Sequence, residues 1–158
     1  MRLTLPIAGL VLGAMLLVPF NSFAQSTTAA TIQSWKDSAK RGSVIGPYSL
    51  GYSYEHGQGV KQDLAEAVKW YSVGAERGDL QAALQLANMY LNGRGIRKDE
   101  SKAIEWFVKI GQSESWFAPL ARAHLLLLAR NYSLGGQGIK PDMAKAHALF
   151  EHLYGDRG

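Results

Sequence analysis

Three groupings in this 158-residue chain have residue types and spacing that could do chemistry. The first is His147, Glu151 and His152. Imidazoles and a carboxylate can hold a divalent metal or pass a proton, provided that they converge. On a helix His147 and Glu151 share a face, but His152 lies about 100° round from Glu151. The spacing is one residue away from the inverted zinc-peptidase motif, which needs its two histidines four apart. These residues read as solvent-facing or packing side chains. The second grouping is Gly-x-Gly at 57–59, 93–95 and 136–138. A phosphate cradle needs a preceding strand and a third glycine opening a helix. Neither is present, and a motif that recurs three times points to a chain turn. The third is the pairing of carboxylates, Asp63 with Glu66 and Glu100 with Glu105, which fall on polar helix faces where a folded domain carries charge. His56 in the first glycine turn and His124 ahead of a leucine run read as structural. No serine sits in a nucleophile elbow, and the absence of cysteine removes thiolate nucleophiles, Cys-ligated zinc and disulfides. No catalytic residue, metal or cofactor is expected.

The elements that carry these residues repeat. Tyr54-Glu-His-Gly57-Gln-Gly59-Val60 maps onto Tyr90-Leu-Asn-Gly93-Arg-Gly95-Ile96 at an offset of 36. The same shift maps Leu50-Gly51 onto Leu86-Ala87, Asp63 onto Asp99, Ala67 onto Ala103 and Trp70-Tyr71 onto Trp106-Phe107. A third copy follows in Leu128-Ala129, Tyr132, Gly136-Gln-Gly138-Ile139, Asp142, Ala146 and Leu149-Phe150. Its extra residues fall beside Gly135 and within Gly111–Arg122. Run backwards, the pattern places Ile32, Trp35, Ala39 and Gly42 in a leading half-unit. Each unit reads as two helices: Ala83, Leu86, Ala87 and Tyr90 form one helical stripe, and Ala103, Trp106, Phe107 and Ile110 form another. Asp63, Asp99 and Asp142 stand where a carboxylate caps the second helix, with Asp63-x-x-Glu66 fitting a capping box. The aromatic stripe Trp35, Trp70, Tyr71, Trp106, Phe107 and Phe150 is expected in the core. One such hairpin cannot bury its stripe alone, so the units must stack into an all-α, right-handed α/α superhelical solenoid.

The pattern Leu-Gly/Ala-x-x-Tyr, Gly-x-Gly-Val/Ile, Asp, Lys/Glu-Ala, Trp-Tyr resembles the Sel-1-like repeat, a relative of the tetratricopeptide repeat. The resemblance covers about residues 27–154, with a half-repeat at 27–42 and repeats at about 43–78, 79–114 and 119–154. It implies a non-catalytic scaffold that binds another protein, with the first helices lining a concave face.

Composition bounds the rest. With 47% hydrophobic and 19% charged residues the chain is of ordinary globular make-up. A net charge of +4 is too mild to be a nucleic-acid footprint. Met1-Arg2, the apolar run Ile7 to Val18 and the small residues around Ser22-Phe23-Ala24 form the three parts of a secretory signal peptide. Residues 1–24 are therefore expected to be removed after Ala24, leaving a domain at 25–158. The run is shorter than the ~20 apolar residues of a membrane span, so the mature form is expected not to span a membrane. The expected destination is the periplasm, or secretion.

Helix phase assigns a partner-binding face to Tyr48 and Tyr52 of the first repeat, Gln81, Gln85 and Asn88 of the second, and Leu127 and Arg130 of the third. Two tyrosines, three amides, an apolar residue and an arginine suit a protein-binding groove and are a poor set for acid–base catalysis. Leu125-Leu126-Leu127-Leu128 makes one first helix apolar on more than one face. Trp116-Phe117 are expected either to fill the wider gap between the second and third repeats or, if exposed, to form a binding patch. The final helix pair has no successor to cover it, so self-association through that end is expected. The rival readings are an immunity-type inhibitor of a delivered toxin, a cell-wall hydrolase, and recognition of an anionic envelope polysaccharide through Arg94, Arg97, Lys98 and Arg130.

Overall fold

A computed structural model describes residues 29–135 and 139–155. The expected leader, its cleavage point and the Gly136–Gly138 motif lie outside the described residues. Among the described residues seven helices follow one another: α1 (Ala29–Lys40), α2 (Ile45–His56), α3 (Leu64–Glu76), α4 (Leu80–Asn92), α5 (Glu100–Gly111), α6 (Ala118–Leu134) and α7 (Met143–Tyr154). Each packs on the next, and α2 also touches α4. The chain is thus a stack of three hairpins, α2–α3, α4–α5 and α6–α7, led by α1. Among the described residues there is no strand.

Local chemistry sets the ends of the helices. The Asp63 carboxylate accepts hydrogen bonds from the backbone N–H groups of Ala65 and Glu66, and Asp79 does the same for Gln81 and Ala82. Asp99 and Asp142 each cap one N–H, of Lys102 and Lys145. Such a cap stabilises its helix by about 1 kcal/mol. Gly57, Gly93 and Gly135 close α2, α4 and α6 with φ of 69°, 67° and 71°, a left-handed turn that a Cβ would strain. A backbone bond then ties each second helix to the first: Asp63 N–H to Tyr54 (2.9 Å), Asp99 N–H to Tyr90 (3.0 Å) and Asp142 N–H to Tyr132 (2.8 Å). The third copy makes this bond despite its extra residue.

The capping box is only half made. Asp63 caps as expected, but the Glu66 side chain pairs with Lys69, while the Asp63 N–H bonds the Tyr54 carbonyl. In the other two copies Lys stands at that position. Lys102 and Lys145 pair with Asp99 and Asp142 (3.9 Å each) and lie over the rings of Tyr90 and Tyr132 at 5.3 and 5.1 Å.

Small residues set the distance between helices. Ala67, Ala87, Ala103 and Ala129 are fully buried. A Cβ on Gly51 would stand 2.5 Å from the Tyr71 ring, and one on Gly95 would overlap the Leu64 carbonyl at the head of α3. Tyr71 and Phe107 are wholly buried, as expected. Trp35, Trp70, Trp106 and Phe150 are half-buried rather than core, packing their inner edges on it. Trp106 holds the Lys109 ammonium 4.9 Å from its ring centre, which an indole fully inside the core could not do.

The inserted residues split between a loop at 112–117 and one extra turn of α6. By repeat register Arg122 corresponds to Leu80, the start of α4, so Ala118–Ala121 are added length. Phe117 packs on the core, but Trp116 is 81% exposed, its ring tilted 33° against that of Phe117 at 4.2 Å. It does not fill the gap between the second and third hairpins. The added turn of α6 lies there instead, with Arg122 Nε donating to the Gly111 carbonyl at 2.8 Å beside a cavity of about 530 Å³.

Candidate partner-binding face

Each first helix leaves a stripe accessible, and these three stripes are in register. They are Ile45, Ser49, Tyr52 and His56 on α2; Gln81, Gln85, Asn88 and Asn92 on α4; and Ala123, Leu127, Arg130 and Leu134 on α6. Spacings of three and four residues keep each set on one side of its helix. The hairpin cores behind hold the stripes in place.

Of the residues assigned by helix phase, Tyr52, Gln81, Leu127 and Arg130 are exposed, and Gln85 and Asn88 are half-buried. Tyr48 is half-buried like them. It corresponds to Leu84, which is buried, and its ring lies 5.9 Å from that of Tyr71 on α3. It forms the floor beside the stripe, because its ring fills the space that Leu84 fills in the next hairpin.

The structure brings part of the set together. Gln81 Nε2 donates to the Tyr48 hydroxyl at 2.9 Å, joining α4 to α2. Burial and the neighbouring Tyr52 and Asp79 raise the Tyr48 phenol above its ordinary range. Tyr52 stacks on His56 at 4.1 Å, and His56 Nδ1 hydrogen-bonds the Tyr52 carbonyl at 3.0 Å. Asn92, which helix phase did not assign, continues the amide row and donates to the Asn88 carbonyl at 2.9 Å. Leu127 and Arg130 make no contact of this kind with the other assigned residues. Leu126 and Leu127 are 44% and 48% exposed, so α6 is apolar on two faces, as its leucine run implies.

Behind the face lies a buried polar cluster that motif reading missed. Glu55 on α2 is only 6% exposed. Its carboxylate accepts a hydrogen bond from the Tyr71 hydroxyl (2.8 Å) and pairs with Arg94 from the next repeat's glycine turn (2.8 Å). Burial first, then the bond to Glu55, pushes the Tyr71 phenol far above its usual range. Burial and Glu100 act in the same direction on Tyr132, whose hydroxyl donates to Glu100. The signal for Glu55 was present in the repeats: Glu55 and Tyr71 stand where Leu91 and Phe107 stand one unit on, two departures that answer each other.

The remaining chemistry-capable groups are separate. His147 Nε2 lies 3.6 Å from Glu151 on the exposed side of α7, while His152 lines grooves between α7 and its neighbours. His124 stacks on Phe107 at 4.7 Å and bonds the Leu120 carbonyl. Among the described residues no three metal-ligating side chains converge, and no helix is long and apolar enough to cross a membrane. Arg94, one of four cations considered for an anionic polysaccharide, is engaged by buried Glu55.

Hairpins of this build, stacked in register, define a helical repeat scaffold. The Sel1 repeat family profile matches residues 48–79, 80–112 and 125–151, together more than half of the chain. The chain belongs to the Sel1 repeat family. No curated protein matches it significantly. Among solved structures it is similar to a Sel1 repeat protein from Oxalobacter formigenes, at 25% identity and a TM-score of 0.58, over 77% of this chain and 47% of that one. It is also similar to a protective antigen of uropathogenic Escherichia coli strains that displays an SLR fold, at 27% identity and a TM-score of 0.55. That match spans 78% of this chain and 25% of the antigen. The chain therefore covers about a quarter to about half of the length of these two relatives. Sel1 repeat proteins are generally protein-interaction modules and typically non-catalytic.

Proposed function

We propose that this chain is a non-catalytic, exported adaptor that holds another protein against the accessible stripes of α2, α4 and α6. One observation carries the reading: three stripes in register, each displayed by a helix hairpin packed on a shared core. A preformed face spends little ordering entropy when a partner docks. Its chemistry suits protein, with aromatic rings at Tyr52 and His56, amides at Gln81 to Asn92 and leucines at 127 and 134. The leader-like residues 1–24 support export to the periplasm with a mature start at Gln25.

The test is a photo-crosslinking amino acid placed at residue 88, on the face, or at residue 105, on the exposed side of α5. In cells making the full chain, residue 88 is expected to capture a discrete partner that residue 105 does not. The double variant Tyr52→Ala, Gln85→Ala is expected to lose that product while keeping its helical circular dichroism. Equal capture from both positions, or capture that survives the double variant, rejects the face. Amino-terminal sequencing of the protein from a periplasmic fraction checks export, and a chain that still begins at Met1 rejects it.

A further inference from the structure

The carboxylates are distributed unevenly between the two kinds of helix. Among the described residues, α2, α4 and α6 together carry one, Glu55, and it is buried and paired. The second helices and α1 carry the others: Asp37, Glu66, Glu76, Glu100, Glu105 and Glu151. The accessible stripes therefore present no negative side chain, while Arg130 stands on one of them. The glycine turns at the stripes' C-terminal ends add exposed Lys61, Arg97, Lys98 and Lys140. The aspartates in those turns are committed to helix caps, and two of them are also paired with lysine. Arg97 and Lys98 share a groove with Asp99, Glu100 and Lys102, so positive charge is in excess there, and an excess of one sign beside an otherwise amide and apolar face selects its occupant by sign.

We infer that the occupant of this face is an acidic segment of another protein, with Asp or Glu toward Arg130 and the basic turns and apolar side chains toward Tyr52 and Leu127. This rests on the proposed binding face and adds the partner's chemistry to it. The exposed Leu127 and Leu134 favour a polypeptide over a sugar chain, because aliphatic side chains of a peptide pack on them whereas a polyanionic saccharide offers them hydroxyls and carboxylates. Like-charged segments are rejected at the same edge.

Panning a random peptide library of about twelve residues, displayed on phage, against the immobilised chain tests it. Recovered peptides are expected to be enriched in Asp and Glu together with Leu, Phe or Tyr. Their affinity should fall about tenfold in the double variant Arg130→Glu, Arg97→Glu, and by a similar factor as NaCl rises from about 0.05 to about 0.5 M. Asn88→Trp, which fills the middle stripe, should block them while leaving the circular dichroism unchanged. A neutral or basic consensus that Asn88→Trp still blocks overturns the acidic partner and leaves the face standing. Acidic peptides that Asn88→Trp does not block overturn both. Salt-sensitive binding of polygalacturonate with no recovered peptide assigns the edge to a polysaccharide and overturns the inference, as does recovery of nothing.

Discussion

Where the first hairpin buries Tyr71, the second buries Phe107, and the residues around them change in step. Facing Tyr71 are Glu55, which accepts a hydrogen bond from its hydroxyl, and Gly51, whose missing Cβ makes room for the ring. Facing Phe107 at the same register are Leu91 and Ala87. One repeat thus has a polar interior that reaches the next unit through Arg94, and the other is closed by apolar contact. The difference shows that a repeat pattern fixes volume more strictly than polarity: a hydroxyl is admitted wherever its acceptor arrives with it.

The comparison can be broken most severely at Arg94. Arg94→Met leaves the Glu55 carboxylate buried without its cation and is expected to cost about 3 kcal/mol, read from urea unfolding. The corresponding change at Gln58, which has no buried carboxylate to serve, should move the midpoint little. Transplanting the hydroxyl is the next largest effect. Phe107→Tyr buries a donor against Leu91 and is expected to cost about 2 kcal/mol, part of which Leu91→Glu should restore.

Removing the hydroxyl sharpens the contrast. Tyr71→Phe is expected to cost about 1 kcal/mol at neutral pH, since Glu55 keeps Arg94. That cost should shrink in alkali. An unfolded tyrosine ionises near pH 10, whereas buried Tyr71 holds its proton far higher. Above about pH 10 the unfolded chain therefore binds fewer protons than the folded one, and stability declines as pH rises. Tyr71→Phe lacks this contribution, so its curve of stability against pH should be flatter than that of the parent. The smallest effect concerns the caps. Asp63→Ala frees two N–H groups and Asp142→Ala frees one, so the first is expected to lose more of about 1 kcal/mol in a thermal melt.

Most of the fold was legible because turns and caps are local. Glycine in a left-handed turn and aspartate ahead of a helix announce themselves within a few residues. Asp79 was overlooked because it lacks a Gly-x-Gly motif to flag it, although its cap is as complete as that of Asp63. Glu55 was hidden because a lone glutamate near a helix end is usually a surface residue, and its partners come from two other elements. Trp116 failed for a related reason: its aromatic type suggests filling, but the added turn of α6 lies in that gap. Helix phase groups first-helix residues that are exposed or half-buried, and lateral packing sets the Tyr48 ring against that of Tyr71.

Gly95 has a consequence beyond its own turn. Because any side chain there would collide with the head of α3, the only relief would be to push the second hairpin away from the first. Tilting adjacent units in this way would change the bend of the whole array, and with it the span between the aromatic and leucine rows. The curvature available to a partner is set, in part, by a carbon atom the protein omits.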